Sequence, residues 1–192
     1  MFANYIKSKF LKISKRKSYK CKYSIKDSYT KIIDFFRFNH INTDIVIVCI
    51  GTNRTDTVDC LGPFVGSILR EDKNFNIPVY GSMINPINAI NLKTQMNTIK
   101  DKHPSETIIA IDAALSDKSK IGMIDIKRGA IKPGKGAGID LLEVGDISIK
   151  AFVAPVNIDV MKYGSDLSFI SEMAYAIAKG LKESFDENNK IL

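Results

Sequence analysis

The sequence predicts a three-layer α/β/α domain with a mainly parallel sheet, and three observations carry that expectation. The run IVIVCI at residues 45–50 is β-branched and apolar without alternation, as a strand covered on both faces must be. Apolar stripes of helical period precede and follow it, so strands alternate with helices along the chain. Of 192 residues, 45% are hydrophobic and 26% charged, which supports one sizeable core without disulfide or metal staples.

Residues 1–24 read as a basic, unstructured arm ahead of a single domain over 25–192. Residues 1–44 hold 11 Lys or Arg against 3 Asp, whereas the remainder holds 17 against 18 acids. Such a run either solvates itself or meets an anionic surface through sequence-independent attraction. The body is neither basic nor acidic, so nucleic acid is not its obvious substrate. From Ile25, the positions Ile25, Tyr29, Ile32, Ile33 and Phe36 keep helical spacing toward Asn39. The strand at 45–50 follows and Gly51 stops it. Pro63 suits a first helical turn, where no N–H is needed, with Val65, Ile68 and Leu69 as the buried stripe.

A second strand is expected over 79–83. Pro86 then opens a helix with Ala89, Leu92, Met96 and Ile99 on one face, and residues 107–111 form a third strand followed at once by Asp112. Extended segments at 123–127 and 147–154 flank the glycine-rich stretch 133–138. The last helix is the clearest: Ile170, Met173, Ala174, Ile177, Ala178, Leu181 and Phe185 share one stripe, with Ser165 or Asp166 to cap it.

Other classes are disfavoured. The longest apolar run is six residues, against the roughly 20 that span a bilayer. The first twenty residues hold no continuous apolar stretch and no small-residue cleavage site, unlike a signal peptide. Cys21, Cys49 and Cys60 are odd in number and form no CxxC pair, which fits a reducing cytoplasm better than a disulfide framework or zinc site.

In open α/β sheets, ligands lie beyond the carboxyl ends of the strands. The loop GTNRTDTVDCLGP over 51–63 and the segment IDAA over 111–114 both bring acids there. If their strands are neighbours, Asp59 and Asp112 converge. Two close carboxyls do not readily both ionise, so one keeps its proton while the other is a base, the condition for activating water against an amide. The same two acids also suit helix caps, and position alone leaves both readings open.

Arg54 either tunes an acid, holds a peptide carbonyl, or pairs with Asp56 at the surface. Cys60 beside Asp59 reads as a pocket filler, since the only histidines, His40 and His103, lie outside the strand-end loops. The glycine-rich stretch lacks the GxxxxGK[ST] spacing of a phosphate loop and reads as a flexible loop offering N–H groups to a substrate carbonyl. Asp56, Asp59 and Asp112 are hard oxygen donors that could bind Mg²⁺ or Ca²⁺ but lack the nitrogen or sulfur partners zinc takes; no obligatory metal and no cofactor is expected.

The strings IVIVCIGTNRTDTVDCLGP, NPINAINL, TIIAIDAAL, IKPGKGAG and VGDISI stand in this order within about residues 45–180. They resemble the sporulation protein YyaC family of spore-forming bacteria. That family is related to the germination protease of spores, an atypical aspartic endopeptidase, and more remotely to hydrogenase maturation peptidases. The resemblance implies a phosphorylase/hydrolase-like fold and a cytoplasmic place in the developing or dormant spore. It matches Asp59 and Asp112 to the paired catalytic aspartates, Asn53 to a Gly-Asn turn, and Gly134, Gly136 and Gly138 to a glycine-rich loop near the active site.

Asn53, Arg54, Asn88 and the three glycines are thus the expected substrate contacts. Relatives usually carry Asp where this chain has Asn53 and often His where it has Asn88, which removes a third acid and an imidazole from any metal-sensing site. The expected function is an endopeptidase that activates water with two aspartates, acting on small spore proteins. The alternative is a non-catalytic spore protein that binds a protein partner through the same cleft. Further expected partners are a second copy of the chain and a weak nucleic-acid or anionic-surface contact through residues 7–22.

Overall fold

In the computed structural model, residues 18–24, 28–41, 44–134, 138, 140–156, 158–159, 164 and 166–185 are described. In chain order they form β1 (Ser18–Lys22), α1 (Thr30–Phe38), β2 (Ile45–Cys49), a 3-10 turn (Val58–Cys60), α2 (Leu61–Glu71) and β3 (Val79–Tyr80). There follow α3 (Leu92–Lys102), β4 (Thr107–Ser116), a second 3-10 turn (Lys118–Lys120), β5 (Met123–Arg128), β6 (Ile147–Pro155) and α4 (Leu167–Phe185). The strands make one sheet in the order β1-β5-β6-β4-β2-β3. β6, β4, β2 and β3 are parallel, while β5 and β1 run antiparallel at one edge.

β2 explains the layering. Every residue in it is buried: Ile45, Ile47 and Cys49 join the core under α1, α2 and α4, while Val46 and Val48 join Leu92, Met96 and Ile99 of α3 on the opposite face. A strand with helices on both sides has no solvent face, which is why its sequence does not alternate. The result is the three-layer α/β/α arrangement with a mainly parallel sheet.

Helix ends follow local chemistry. Asp166 Oδ1 accepts the Phe169 N–H at 3.2 Å, so Asp166 caps α4 as expected. Lys182 and Asp72 form an ion pair that ties the end of α2 to α4. α2 crosses the sheet so closely that a Cβ on Gly66 would stand 1.8 Å from the Gly81 carbonyl oxygen.

Four expectations are corrected. The basic arm does not extend to residue 24, because Ser18–Lys22 is the edge strand β1: Tyr19 is buried opposite Ile126 and edge-on to Phe35 with ring centroids 5.8 Å apart, while Lys20 and Lys22 alternate outward. The second strand shrinks to Val79–Tyr80. α3 begins at Leu92 rather than Pro86, because the side chains of Asn88 and Asn91 hold the preceding residues in a turn. Asn91 Oδ1 accepts the Asn88 N–H at 2.9 Å and Asn88 Oδ1 accepts the Ile90 N–H at 3.0 Å, leaving Ala89 exposed.

The fourth correction bears on function. β4 does not stop at Ile111 but pairs with β6 as far as Ser116↔Pro155, so Asp112 stands inside a strand and caps no helix. The helix expected from Ile25 runs over Thr30–Phe38; residues 25–27 lie outside the described set, as does the cap candidate Ser165.

Alanine is a better helix former than glycine by about 1 kcal/mol, so Gly66→Ala would stabilise a helix that touched nothing. The contact with Gly81 reverses the sign. Gly66→Ala is expected to lose about 1–3 kcal/mol through overpacking, read as a lower urea midpoint at unchanged slope.

Candidate functional site

Five register pairs, from Ile45↔Thr107 to Cys49↔Ile111, hold β2 beside β4. The chain leaving β2 and Asp112 of β4 therefore share the carboxyl end of the sheet. The Ile50 N–H donates to the Ile111 carbonyl and the Gly51 N–H to the Ile87 carbonyl, each at 2.8 Å. Gly51 has φ +145°, and a Cβ there would stand 2.1 Å from the Asp59 carbonyl oxygen, so only glycine lets the chain fold back here. The Thr52 N–H donates to that carbonyl at 3.0 Å, and the buried Thr57 hydroxyl donates to the Arg54 carbonyl at 3.2 Å. This closed loop delivers Asp59 on its 3-10 turn.

Alternation along β4 turns Ile109 and Ile111 to the α2 side and Ile108, Ala110 and Asp112 to the α3 side. Asp112 is 8% exposed. Burial pushes its carboxyl well above the ordinary range and the charge of Asp59 pushes it further; the Lys150 ammonium and a backbone hydrogen bond at Ala113 pull the other way. Burial raises Asp59 to about 6, against a backbone hydrogen bond from Thr52 that favours its ionised form. Asp112 thus senses the charge of Asp59, and of the two it is the one whose proton burial and its neighbour both favour, while Asp59 ionises as pH passes about 6.

The other expected site residues divide by place. Asn53 is exposed on the loop that carries Asp59. Arg54 is also exposed and engaged with Asp56 through Nε–Oδ1 at 3.1 Å and Nη2–Oδ2 at 2.8 Å, the surface pairing. Asn88 follows Ile87, whose carbonyl meets Gly51, but its own side chain is engaged with the Ile90 N–H in a turn. Gly134 and Gly138 take φ of +72° and +70°; Gly136 lies outside the described residues. Their loop closes through the Ile131↔Val144 bridge between the end of β5 and the start of β6, so it is rooted at the amino ends of the parallel strands, away from the two acids.

Of the basic stretch 7–22, residues 7–17 lie outside the described set, and Lys20 and Lys22 are exposed on β1. The Cys60 thiol is raised to about 11 by burial and donates to the Thr57 carbonyl at 3.1 Å, which makes it an inert group. His103 is held by Tyr80 Oη at 2.8 Å and Glu106 at 3.2 Å, past the end of α3. Among the described residues no three His, Cys, Asp or Glu side chains cluster as a metal site requires, and no helix is long and apolar enough to cross a membrane.

Two features escaped sequence reasoning. Lys150 acts on Asp112 across the sheet, and its only signal was a lysine inside an otherwise apolar strand. Ile84 and Ile90 are 86% and 96% exposed on the loop that meets Gly51, beside a cleft of about 410 Å³ lined by Tyr80, Gly81, Asn85 and Asn91 among others. Helical spacing could not flag them because they lie in a turn.

The family model described as "Protein of unknown function (DUF1256)" matches residues 19–180. The Bacillus subtilis (strain 168) protein "Uncharacterized protein YyaC" is 39% identical over 142 residues, covering 71% of this chain and 67% of that protein. The chain belongs to the YyaC family. The match starts at Tyr19 in β1 and ends in α4, so it takes in both acids and their loops. Among solved structures, a [NiFe] hydrogenase maturation protease, HycI, from Thermococcus kodakarensis KOD1 is similar over 73% of this chain and 93% of its own, with a TM-score of 0.41 and 18% identity.

Asp59 and Asp112 hold protons more tightly folded than unfolded, so the stability they contribute is complete below the ordinary carboxylate pKa near 4 and is lost as pH rises through about 6 and beyond. The urea midpoint of the wild type is expected to fall between pH 4 and pH 8. Asp112→Asn removes part of that penalty and should raise stability at pH 8 by on the order of 1 kcal/mol, with little effect at pH 4.

Proposed function

We propose that the protein is an endopeptidase in which Asp59 and Asp112 share one proton and activate water. The observation that carries this reading is the pair itself: two carboxyls raised by burial at the carboxyl end of the sheet, the charge of one raising the other further. Such environments separate a base from an acid at neutral pH.

In the first step the Asp59 carboxylate takes a proton from water as its oxygen attacks the amide carbon, and Asp112 gives its proton to the carbonyl oxygen. A neutral tetrahedral diol results. In the second step the C–N bond breaks, Asp59 passes its proton to the departing amine, and Asp112 recovers one from a diol hydroxyl. Both carboxyls return to their starting states.

The exposed Asn53 amide would bond a peptide carbonyl, and Ile84 and Ile90 would receive apolar side chains of an extended substrate. The Arg54 guanidinium would join them only by leaving Asp56. Small spore proteins are the substrates this reading proposes, on family resemblance, in the cytoplasm of the spore.

Cleavage of purified small acid-soluble spore proteins, followed by gel and mass spectrometry across pH, tests the reading. Discrete products are expected, at a rate that rises as pH passes about 6, where Asp59 ionises. Asp59→Asn and Asp112→Asn should each lower the rate about 10²–10⁴-fold, the usual share of a general acid or base. Wild-type rates in Asp112→Asn would sink the mechanism. The exposure of Ile84 and Ile90 favours a second reading, a partner-binding protein without catalysis. Retention of intact substrate with no cleavage at any pH, lost in Ile90→Asp, is the result that would select it.

A further inference from the structure

The face of the sheet on the α3 side holds charges in a row. Lys20 of β1 stands opposite Asp125 of β5, Asp125 opposite Lys150 of β6, and Lys150 opposite Asp112 of β4. The order is plus, minus, plus, minus, each strand spaced about 4.8 Å from the next. Alternation puts all four on one face, since Tyr19, Ile124, Ile126, Ile149, Ala151 and Ile111 fill the opposite core. Asp125 is 9% exposed, and its Oδ1 is buried with no hydrogen-bond partner among the described residues. A buried carboxyl left short of donors is costly unless a cation stands by, and the row places an ammonium on each neighbouring strand.

Among the described residues, few other charges face Asp112. β2 offers none, α3 turns Leu92, Met96 and Ile99 to the sheet, and α2 carries Arg70 and Glu71 in its last turn, remote from its start at the site. The 3-10 turn supplies Asp59. Further along the same face, Lys127 of β5 stands opposite Ser148, one row away from Lys150.

We propose that Lys150 is the positioning residue of the acid pair: poised between Asp112 and Asp125 in one row of the sheet, its ammonium keeps Asp112 able to lose and regain the shared proton. This inference rests on the peptidase reading and names a residue that neither touches substrate nor stands in either strand-end loop. Without Lys150, burial and Asp59 together would lock Asp112 in its acid form, fit to give a proton once and unfit to cycle. Asp125 competes for the same ammonium on its flexible four-carbon stem.

The test is a carboxyl titration of the full chain labelled with ¹³C-aspartate, run beside the cleavage assay. Lys150→Met should move the Asp112 titration up by about one pH unit or more and carry the alkaline limb of the cleavage profile with it, leaving the limb near 6 in place. Lys150→Arg should restore both. Asp125→Asn, which frees the ammonium for Asp112, should move the titration down. An Asp112 titration unchanged in Lys150→Met overturns the proposal; if that variant fails to fold, the absence of a downward movement in Asp125→Asn overturns it. Shifts of the expected sign in a protein that cleaves nothing would uphold the electrostatic role of Lys150 while removing the peptidase reading beneath it.

Discussion

The parallel register of β2 against β4 is the constraint on which the site depends. Asp59 and Asp112 come from opposite sides of β3 and α3 in the chain, and they meet only because β2 and β4 are neighbours whose carboxyl ends lie level. A slip of one residue would carry Asp112 from the α3 face to the α2 face and bring Ile111 into its place. That slip is resisted along the whole strand pair, because both faces of β2 are covered and each would have to exchange its apolar set. The chemistry of two carboxyls is thus underwritten by the least polar part of the molecule.

The same placement sets stability against activity. Folding takes Asp59 and Asp112 out of water and leaves them near one another, and each effect raises the free energy of the ionised form. What offsets it is the Lys150 ammonium beside Asp112 together with local backbone groups: the Thr52 N–H on the Asp59 loop and the hydrogen bond at Ala113. A general base needs a carboxylate whose proton affinity lies near the working pH, and burial is the means available to a site with no nearby imidazole: among the described residues His103 is occupied by Tyr80 and Glu106.

Much of this was legible in the sequence, and the reasons for the rest are physical. β2 and α4 were plain because their apolar patterns have one cause each, double coverage for β2 and a single buried stripe for α4. β1 was hidden because an edge strand needs only alternate apolar residues, and the two in SYKCK stand among lysines that composition reads as a solvated arm. The start of α3 was misplaced because Pro86 is a good first-turn residue, while the deciding interactions are the local bonds of the Asn91 oxygen to the Asn88 N–H and of the Asn88 oxygen to the Ile90 N–H, which asparagine makes in ordinary turns too. Asp59 and Asp112 were legible as a pair only on the condition of strand adjacency. Lys150 was legible only as a lysine in a largely apolar strand, since its partner is set by the β4 and β6 register and by nothing near it in the chain.

Coverage explains why a lysine stands there. Among the described residues, α3 is the only helix on its face and covers β2 and the first half of β4; the hairpin closed by Ile131 and Val144 covers the amino ends beside it. Among the described residues no helix stands above β5 or the carboxyl half of β6 on that side, and the two strands turn an apolar set toward α1 and α4 and a mixed set the other way. Ser148, Lys150 and Asp125 belong to that second set, with Lys20 of β1 beside them. A polar row beside a buried acid pair gives an ammonium a route to the pair that stays within the sheet: its stem leaves from the floor of the site while its charge remains in the row. A fourth helix-facing layer over β5 and β6 would have replaced that row with aliphatic residues, and Asp112 would then have had burial and Asp59 acting on it with no cation to oppose them.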